Sequence, residues 1–414
     1  MTAAPSLRDA PWLKAGPAAR VLALLNADGE EARVVGGAVR NALLGIPVGD
    51  IDIATTAVPD EVVKRAKAAG IKSVPTGIAH GTVTLVADGQ PFEVTTLRED
   101  IETFGRKATV AFGRDWARDA LRRDFTMNGL SAGLDGVVHD HVGGLPDIAA
   151  RRVRFIGEPS QRIAEDYLRI LRFFRIHAAY GTGEPDRVGY LACIKGRDGL
   201  ATLSAERLRM EMLKLAAAGG ALAAIVAMED AGLLLAVIGG VAYRGALKAM
   251  IAIERDLGLK PDGVRRLGAL GVAISEDAKR FSQRLRLSNA ETKQLDGMGH
   301  RWWRMVGMDD AKSRRLLYRL GPETYRDRLM LAWARAGEAA PPARWRELAT
   351  LPERWSAPKF PLKAADFVAR GVPEGPALGQ ALGLAEDAWL AQNFPADTAT
   401  LAAIADQIAA RASR

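Results

Sequence analysis

Asp50 and Asp52 stand two residues apart within Val34–Thr56, which reads VVGGAVRNALLGIPVGDIDIATT. A short β-branched run there ends in Gly36-Gly37, and a helix pattern with Arg40 in its first turn follows at once. After Gly45 and Pro47 a second strand carries the aspartates. Side chains two apart on a strand share a face, so Asp50 and Asp52 project together while Ile51 and Ile53 turn toward a core. Glycine lets a backbone come close to an anion, and a helix N-terminus offers it unpaired N–H groups and a favourable dipole. Two carboxylates just beyond such a cradle suit divalent metal held against a triphosphate. Alone, a Gly-Gly pair is mostly a tight turn and an Asp-x-Asp pair mostly a solvated strand edge; here the two occur close together. Farther on, His80–Val86 and Phe92–Leu97 alternate as strands across Asp88-Gly89, a hairpin signal. Phe92 and Val94 then share one face and Glu93 and Thr95 the other. Glu93 is expected to join the aspartates as a third acidic member of a metal or general-base group.

GGAVRNALLG followed by DIDIATT resembles the first motif of the nucleotidyltransferase superfamily that includes the tRNA CCA-adding enzymes and the bacterial poly(A) polymerases. Asn41 stands where that family usually has an acidic residue. Arg122-Arg123-Asp124-Phe125-Thr126-Met127-Asn128 resembles a second motif, RRDFTxN. The resemblance implies that Asp50 and Asp52 bind two Mg²⁺ ions with Glu93 assisting. It implies that Gly37, Arg40 and Arg123 hold a nucleotide's sugar and phosphates, with Asp124 and Asn128 bracing the site. Asp140–Asp147, DHVGGLPD, also matches; a Gly-Gly turn between two aspartates reads as a structural closure of the sheet, outside the catalytic set. His80-Gly81-Thr82-Val83 is more similar to the CCA-adding branch than to the poly(A) branch. Arg106-Lys107-Ala108 departs from the family's commoner Arg-His-Pro.

Glu165–Arg175, EDYLRILRFFR, is the other decisive stretch. Arg169, Arg172 and Arg175 fall every third residue and line a slowly rotating helix face, with Asp166 one turn before Arg169. An intrahelical Asp–Arg ion pair would account for this pattern. A functional reading accounts for more. Cytosine and adenine both present an amino donor beside a ring-nitrogen acceptor, whereas uracil and guanine present a carbonyl beside an N–H. An aspartate accepting from the amino group and an arginine donating to the ring nitrogen favour C and A. A mispaired polar group costs about 1–3 kcal/mol, which rejects U and G. The stretch resembles the EDxxR motif of the class II CCA-adding enzymes, which implies that Asp166 and Arg169 bond the incoming base and that Arg172 and Arg175 contact the nucleotide. Ser204-Ala-Glu-Arg207 reads as a helix cap continuing this region.

The elements that must position these groups follow from the rest of the chain. At 414 residues, 48% hydrophobic and 26% charged, it suits two to four ordinary globular domains. A net charge of +8 suggests a polyanionic partner. The single Cys193 excludes an intramolecular disulfide and fits a reducing compartment. The first residues lack an apolar core and do not read as a signal peptide. The apolar runs Leu215–Met228 and Ala231–Tyr243 are short and glycine-broken, so they read as buried helices rather than membrane spans. No Cys/His metal cluster is evident, and the one His-Asp doublet, His139-Asp140, lies in the expected head rather than in the helical tail, which speaks against an appended metal phosphohydrolase domain.

In order, a loose arm to about Leu13 leads to a helix near Ala18–Asn26, the first β–helix–β unit, and a helix opened by Pro59-Asp60-Glu61 and closed at Gly70. Arg98–Arg118 lacks clear periodicity and reads as a mobile loop, a candidate lid. From Arg151 strands give way to helices. The expected fold is α+β: a small mixed β-sheet nucleotidyltransferase head (18–150), a helical neck carrying the base-recognition helix (151–240), and an all-α body and tail (241–414). Basic clusters at Arg265-Arg266, Arg284–Arg286, Arg301–Arg304 and Lys312–Arg315, interleaved with Trp302, Trp303 and Tyr318, suit an RNA duplex held through phosphates and 2′-hydroxyls. Gly371–Gly379 reads first as an inter-helix turn and second as a helix–hairpin–helix phosphate contact. The resemblance implies a cytoplasmic enzyme that uses Mg²⁺, CTP and ATP to add C, C and A to the 3′ end of tRNA, with no membrane and no obligate protein partner. A poly(A) polymerase, a partial CC- or A-adding enzyme, and a non-catalytic RNA-binding protein are the alternatives.

Overall fold

The structure, a computed structural model, describes residues 5–412 apart from Ala79, His80, Gly105 and Arg106, and leaves aside the side chains of Thr76 and of 99–111. The His80 and Arg106 parts of the two motif comparisons therefore lie outside the described residues. The chain forms two compact units, Met1–Gly240 and Val241–Arg414.

The first unit is built on a seven-stranded sheet in the order β3-β4-β5-β2-β1-β8-β9. Its strands are β1 (Ala32–Val35), β2 (Asp52–Thr55), β3 (Lys72–Gly77), β4 (Thr82–Ala87), β5 (Gln90–Thr96), β8 (Ser131–Ala132) and β9 (Val138–His139). β2 runs parallel to β5 and the other pairs are antiparallel, so the sheet is mixed. The β4–β5 turn is the Asp88-Gly89 pair, with φ of 51° and 78°. Both values are positive, which matches the twist of a two-residue hairpin. Val83, Leu85, Phe92 and Val94 bury one face of that hairpin. Helices α2 (Pro17–Leu25), which follows the short α1 (Pro11–Lys14), α3 (Gly37–Leu43) and α4 (Pro59–Ala68) complete this region.

Two expectations are corrected here. The stretch 98–112 is a two-stranded ribbon, β6 (Arg98–Phe104) and β7 (Lys107–Phe112), paired from Arg98↔Phe112 to Phe104↔Lys107, rather than a loop. A ribbon apart from the main sheet is specified by its backbone ladder and a turn, so it need not carry a hydrophobic alternation that sequence reading can detect. The N-terminal arm is docked from Ser6 onward. Ser6 bridges Val137, and the Leu7 N–H donates to Gly136 O at 2.8 Å. A Cβ on Gly136 would sit 2.3 Å from the Arg8 nitrogen, so only glycine admits the arm.

After α5 (Trp116–Leu121) and α6 (Gly144–Ala149) the chain turns helical, through α7 (Pro159–Glu165), α8 (Leu168–Tyr180), α9 (Arg187–Lys195), α10 (Ala205–Ala217), α11 (Ala221–Asp230) and α12 (Leu234–Ile238). The change from sheet to helix is not a break in packing. Phe125 bridges Phe155 across it, and the rings of Phe125, Phe155 and Phe173 lie 4.9 to 6.2 Å apart. Asp147 is fully buried beneath this join. It accepts from Thr126 Oγ1 at 2.6 Å, Arg152 Nε at 2.7 Å and Arg154 Nε at 2.9 Å. Asp140 accepts from the Val142, Gly144 and Leu145 N–H groups and shapes the Gly-Gly turn.

The second unit is helical, from Arg244–Asp256 to Thr398–Ala412. One core gathers Met305, Tyr325, Leu329 and Trp345, and another gathers Phe367, Trp389 and Ile404. Several residues expected on a solvated basic flank are structural instead. Arg265 and Arg266 both bond Glu254, which is 1% exposed, and Arg265 also bonds Asp327 at 2.7 Å. Tyr318 donates to Glu386 and Trp302 to Ala273 O, whereas Trp303 is exposed. Gly371 and Gly375, with φ of 85° and 111°, serve the turn between helices Ala364–Val368 and Pro376–Ala391. No described helix is long and apolar enough to cross a membrane.

Burial raises the Asp147 pKa, but the Thr126, Arg152 and Arg154 hydrogen bonds outweigh it and leave the carboxyl below its ordinary 3.8. Its stabilisation is therefore complete above that value and is lost as pH falls through the depressed one. Asp147→Asn should lower the unfolding free energy by about 2 kcal/mol at neutral pH and flatten the acid limb of the melting-temperature profile. An unchanged acid limb would show that Asp147 does not carry it.

Candidate active site

β1 delivers the chain to Gly36, whose φ of 68° turns it into α3. The Gly36 N–H donates to Leu130 O at 3.0 Å, and a side chain there would face both a strained backbone and Arg123 Nη1 at 3.4 Å. Gly37 begins α3. Arg40 of the same helix is 6% exposed, donates to Asn128 Oδ1 at 2.5 Å, and lies 3.7 Å over the Tyr180 ring. Its Nη2 donates to Asn41 Oδ1 at 2.8 Å, so the amide at this position still supplies an acceptor, without a charge.

Asp52 opens β2 opposite Val35, while Asp50 lies in the preceding loop rather than on the strand. Ile53 is buried and Ile51 only half-buried, so the expected inward pair is incomplete. β2 and β5 pair at Ile53↔Val94, which sets Glu93 beside Asp52 at the previous position of each strand. Asp52 feels both of the other carboxylates. Burial first, then Glu93, and more weakly Asp50, raise Asp52 above the usual carboxylate value against an opposing Arg123. Oxygen donors of like charge at close range match a hard divalent cation. Among the described residues no three His, Cys, Asp or Glu side chains form a ready-made cage. Magnesium characteristically takes one or two carboxylates and completes its shell with water and substrate phosphate, so the donor set fits that ion.

The RRDFTMN segment forms a web of ion pairs. Asp119 holds Arg122 at 2.5 Å and Arg123 at 3.1 Å. Asp124 accepts from Arg172 Nη2 at 2.5 Å, from Asn128 Nδ2 at 3.1 Å and from the Phe125 N–H at 2.9 Å. Burial raises the Asp124 pKa, but Arg172 and Asn128 outweigh it and hold the carboxyl below its ordinary range.

Asp166 and Arg169, expected to read the base, do not pair with each other. Asp166 is not on a helix: it closes α7 with an extended φ of −156°, and Tyr167 precedes α8. Its Oδ1 accepts from the Leu168 N–H at 3.1 Å and its Oδ2 from Arg207 Nη2 at 2.6 Å. Arg169 Nη1 donates to Glu165 Oε2 at 2.5 Å and to Arg162 O at 2.6 Å. Arg175 pairs with Glu211 at 2.5 Å. The intrahelical Asp–Arg pair admitted by the spacing is therefore absent. Ser204 sits at the start of α10 as expected, without a side-chain cap bond.

A cavity of about 340 Å³ is lined by Gly36, Gly37, Asp52, Arg123, Asp124, Asn128, Asp166, Arg169 and Arg172. Six of the residues expected to bind directly meet here, Gly37, Asp52, Arg123, Asp166, Arg169 and Arg172, together with the two expected braces Asp124 and Asn128. Asp50, Glu93, Arg40 and Arg175 are not in its lining. Residues to which the sequence reading gave no part in the site brace the lining from behind: Asp119, Arg162, Tyr180, Glu211, and Arg207, which was read only as part of a helix cap. Arg162 is tied to Glu165 at 2.6 Å and to Arg123 O at 2.8 Å, the first of these a three-residue spacing within α7. Arg207 and Glu211 act across more than thirty residues and left no local signal.

Residues 32–154 match the family model described as the Poly A polymerase head domain. The mitochondrial CCA tRNA nucleotidyltransferase 1 of Mus musculus is 31% identical over 376 residues, which make up 87% of this chain and 83% of that protein. The CCA-adding enzyme of Limosilactobacillus fermentum is 32% identical over 377 residues, 88% of this chain and 90% of that one. The chain belongs to the CCA tRNA nucleotidyltransferase family. Among solved structures, the CCA-adding enzyme of Bacillus stearothermophilus in complex with CTP aligns with a TM-score of 0.75 at 25% identity, covering 97% of this chain and 99% of that one. The Thermotoga maritima CCA-adding enzyme complexed with tRNA shares the fold, with a TM-score of 0.69 at 18% identity, covering 99% of this chain and all of that one, 100%.

The raised Asp52 predicts a trade typical of an acidic site. Its charged form is disfavoured by folding, so the destabilisation grows as pH rises through its pKa. In EDTA, Asp52→Asn should melt slightly above the unsubstituted protein at pH 8, with the difference vanishing at acid pH. A lower melting temperature at pH 8 would contradict carboxylate repulsion at this position.

Proposed function

We propose that this chain adds C, C and A in turn to the 3′ end of tRNA from CTP and ATP, without a nucleic-acid template, releasing pyrophosphate. The observation that carries this reading is the shared cavity. Gly37 and Asp52, which suit a triphosphate and its metal, line the same space as Asp166 and Arg169, which suit the edge of a base. A triphosphate site and a base-reading site can thus grip one nucleotide.

The roles follow from position. Mg²⁺, held by Asp50 and Asp52 with Glu93 assisting, would neutralise the triphosphate and make the primer 3′-hydroxyl a better nucleophile. Arg123, steadied by Asp119, faces the cavity and holds phosphate. Gly37 admits the nucleotide backbone closely, and Arg40 acts from beneath through Asn128. Asp166 accepts from the amino group shared by cytosine and adenine, while Arg169 donates to the neighbouring ring nitrogen. Arg172 lines the cavity while clamping Asp124, and Arg175 supports α8 through Glu211. We assign the head to 18–150, the neck to 151–240, and the tRNA-binding body and tail to 241–414. The buried Cys193 suits a reducing compartment, and the cytoplasm is the compartment proposed; the vertebrate relatives carry mitochondrial names.

A gel assay on tRNA lacking its 3′ end, given CTP alone, ATP alone or both, separates full CCA addition from partial or poly(A) addition. C addition with CTP, and A addition only after it, is the expected outcome; an ATP-only ladder would replace this reading with poly(A) synthesis. Asp52→Ala should abolish both additions while tRNA binding stays near the unsubstituted level. Binding should weaken steeply with salt, as expected for phosphate contacts.

A further inference from the structure

Arg40 is buried, at 6% exposed, yet its hydrogen-bond partners carry no charge. Its Nη1 donates to Asn128 Oδ1 at 2.5 Å, and its Nε and Nη2 donate to Asn41 Oδ1 at 3.2 and 2.8 Å. Among the described residues no carboxylate forms an ion pair with it. Asn41 stands where an acid is usual in the family, so the charge an acid would bring is missing. Asp124 lies one contact farther off, behind Asn128, and is engaged by Arg172 at 2.5 Å. A buried cation without a countercharge is costly. What meets the Arg40 guanidinium instead is Tyr180, the last residue of α8, whose ring centre lies 3.7 Å from it. A ring face attracts a cation, and more strongly when both are desolvated. Burial holds the Arg40 pKa below its ordinary value, and Tyr180 opposes that shift. Tyr180 does not line the cavity. A Cβ on Gly37 would sit 3.5 Å from Arg40 Nη2, so the guanidinium lies directly behind the glycine turn.

We propose that Tyr180 is a positioning residue for nucleotide binding, its ring face holding the Arg40 guanidinium behind Gly37 in place of the countercharge that position 41 lacks. The inference rests on the reading of Arg40 as a residue that helps hold the nucleotide's sugar and phosphates. Without the ring, two amide oxygens are left to hold a buried cation, and the guanidinium turns toward water and away from the glycine turn. Sugar and phosphates are common to every ribonucleoside triphosphate, so the loss falls equally on CTP, ATP and UTP. It appears as weaker binding of the triphosphate and leaves the choice among bases where it was.

The test is steady-state kinetics for Tyr180→Leu, Tyr180→Phe, the Asn41→Asp/Tyr180→Leu double variant and Arg40→Met, with CTP and UTP on tRNA ending before its CCA and ATP on tRNA ending in CC. Tyr180→Leu should raise KM for CTP and for ATP about fivefold each, with kcat, the CTP-over-UTP preference and tRNA affinity little changed. Tyr180→Phe keeps the ring face and should recover most of that loss. Asn41→Asp places a charge on an atom already bonded to Arg40 and should recover it too, in the double variant. Tyr180→Met serves in place of the leucine variant if that one does not fold. A KM unchanged on loss of the ring, or raised and not recovered by Asn41→Asp, overturns the proposal while a raised KM in Arg40→Met leaves the role of Arg40 standing. A blurred CTP-over-UTP preference in Tyr180→Leu also overturns it, since that marks a general loosening of α8, which carries Arg169. A KM unchanged in Arg40→Met overturns the role of Arg40 and this inference with it.

Discussion

The cavity depends on one partly buried carboxylate, Asp124, whose side chain is 11% exposed. Arg172 of α8 bonds one of its oxygens, and Asn128 bonds the other. Asn128 in turn accepts from Arg40 of α3, and Arg40 lies over Tyr180 at the end of α8. The contacts form a ring that leaves α8 at Arg172 and returns to it at Tyr180. An unpaired charge at this depth is heavily penalised, so the ring is strong only when complete. That condition ties the helix presenting Arg169 to the glycine turn presenting Gly37, and so sets the distance across the cavity between them.

Around this ring the charges are arranged in layers. Residues facing the cavity are backed by partners of opposite sign: Asp119 behind Arg123, Glu165 behind Arg169 and Arg207 behind Asp166. Such backing restricts side chains that would otherwise keep their own rotamer freedom. Asp52 is the exception. Its strongest carboxylate neighbours are of like sign, and its pKa is raised instead of lowered. A carboxylate left without a backing cation is disfavoured by folding, at some expense in stability.

The relatives extend over most of the chain, while the family model matches only residues 32–154. The chemistry-bearing residues lie in and just after that segment. In the helical unit beyond Val241, arginines expected to meet solvent are drawn into structural ion pairs, as at Arg265 and Arg266. A basic composition therefore overstates how much cationic surface is left for RNA.

The sequence alone determined the local pieces. Gly36-Gly37 before a helix, Asp88-Gly89 between alternating runs, and the Phe92/Val94 face are each specified by neighbours a few residues away, so they were legible. The family motifs added the roles expected of Asp50, Asp52, Arg123, Asp166 and Arg169. Tertiary structure decided what local pattern cannot carry. It placed Asp50 in a loop and Asp166 between helices, and it chose Arg207 rather than Arg169 as the partner of Asp166. Several arginines near those carboxylates had suitable charge and reach. Only packing of α10 against α8 selected among them, because an ion pair depends on distance in space and sequence spacing constrains that distance only within one element.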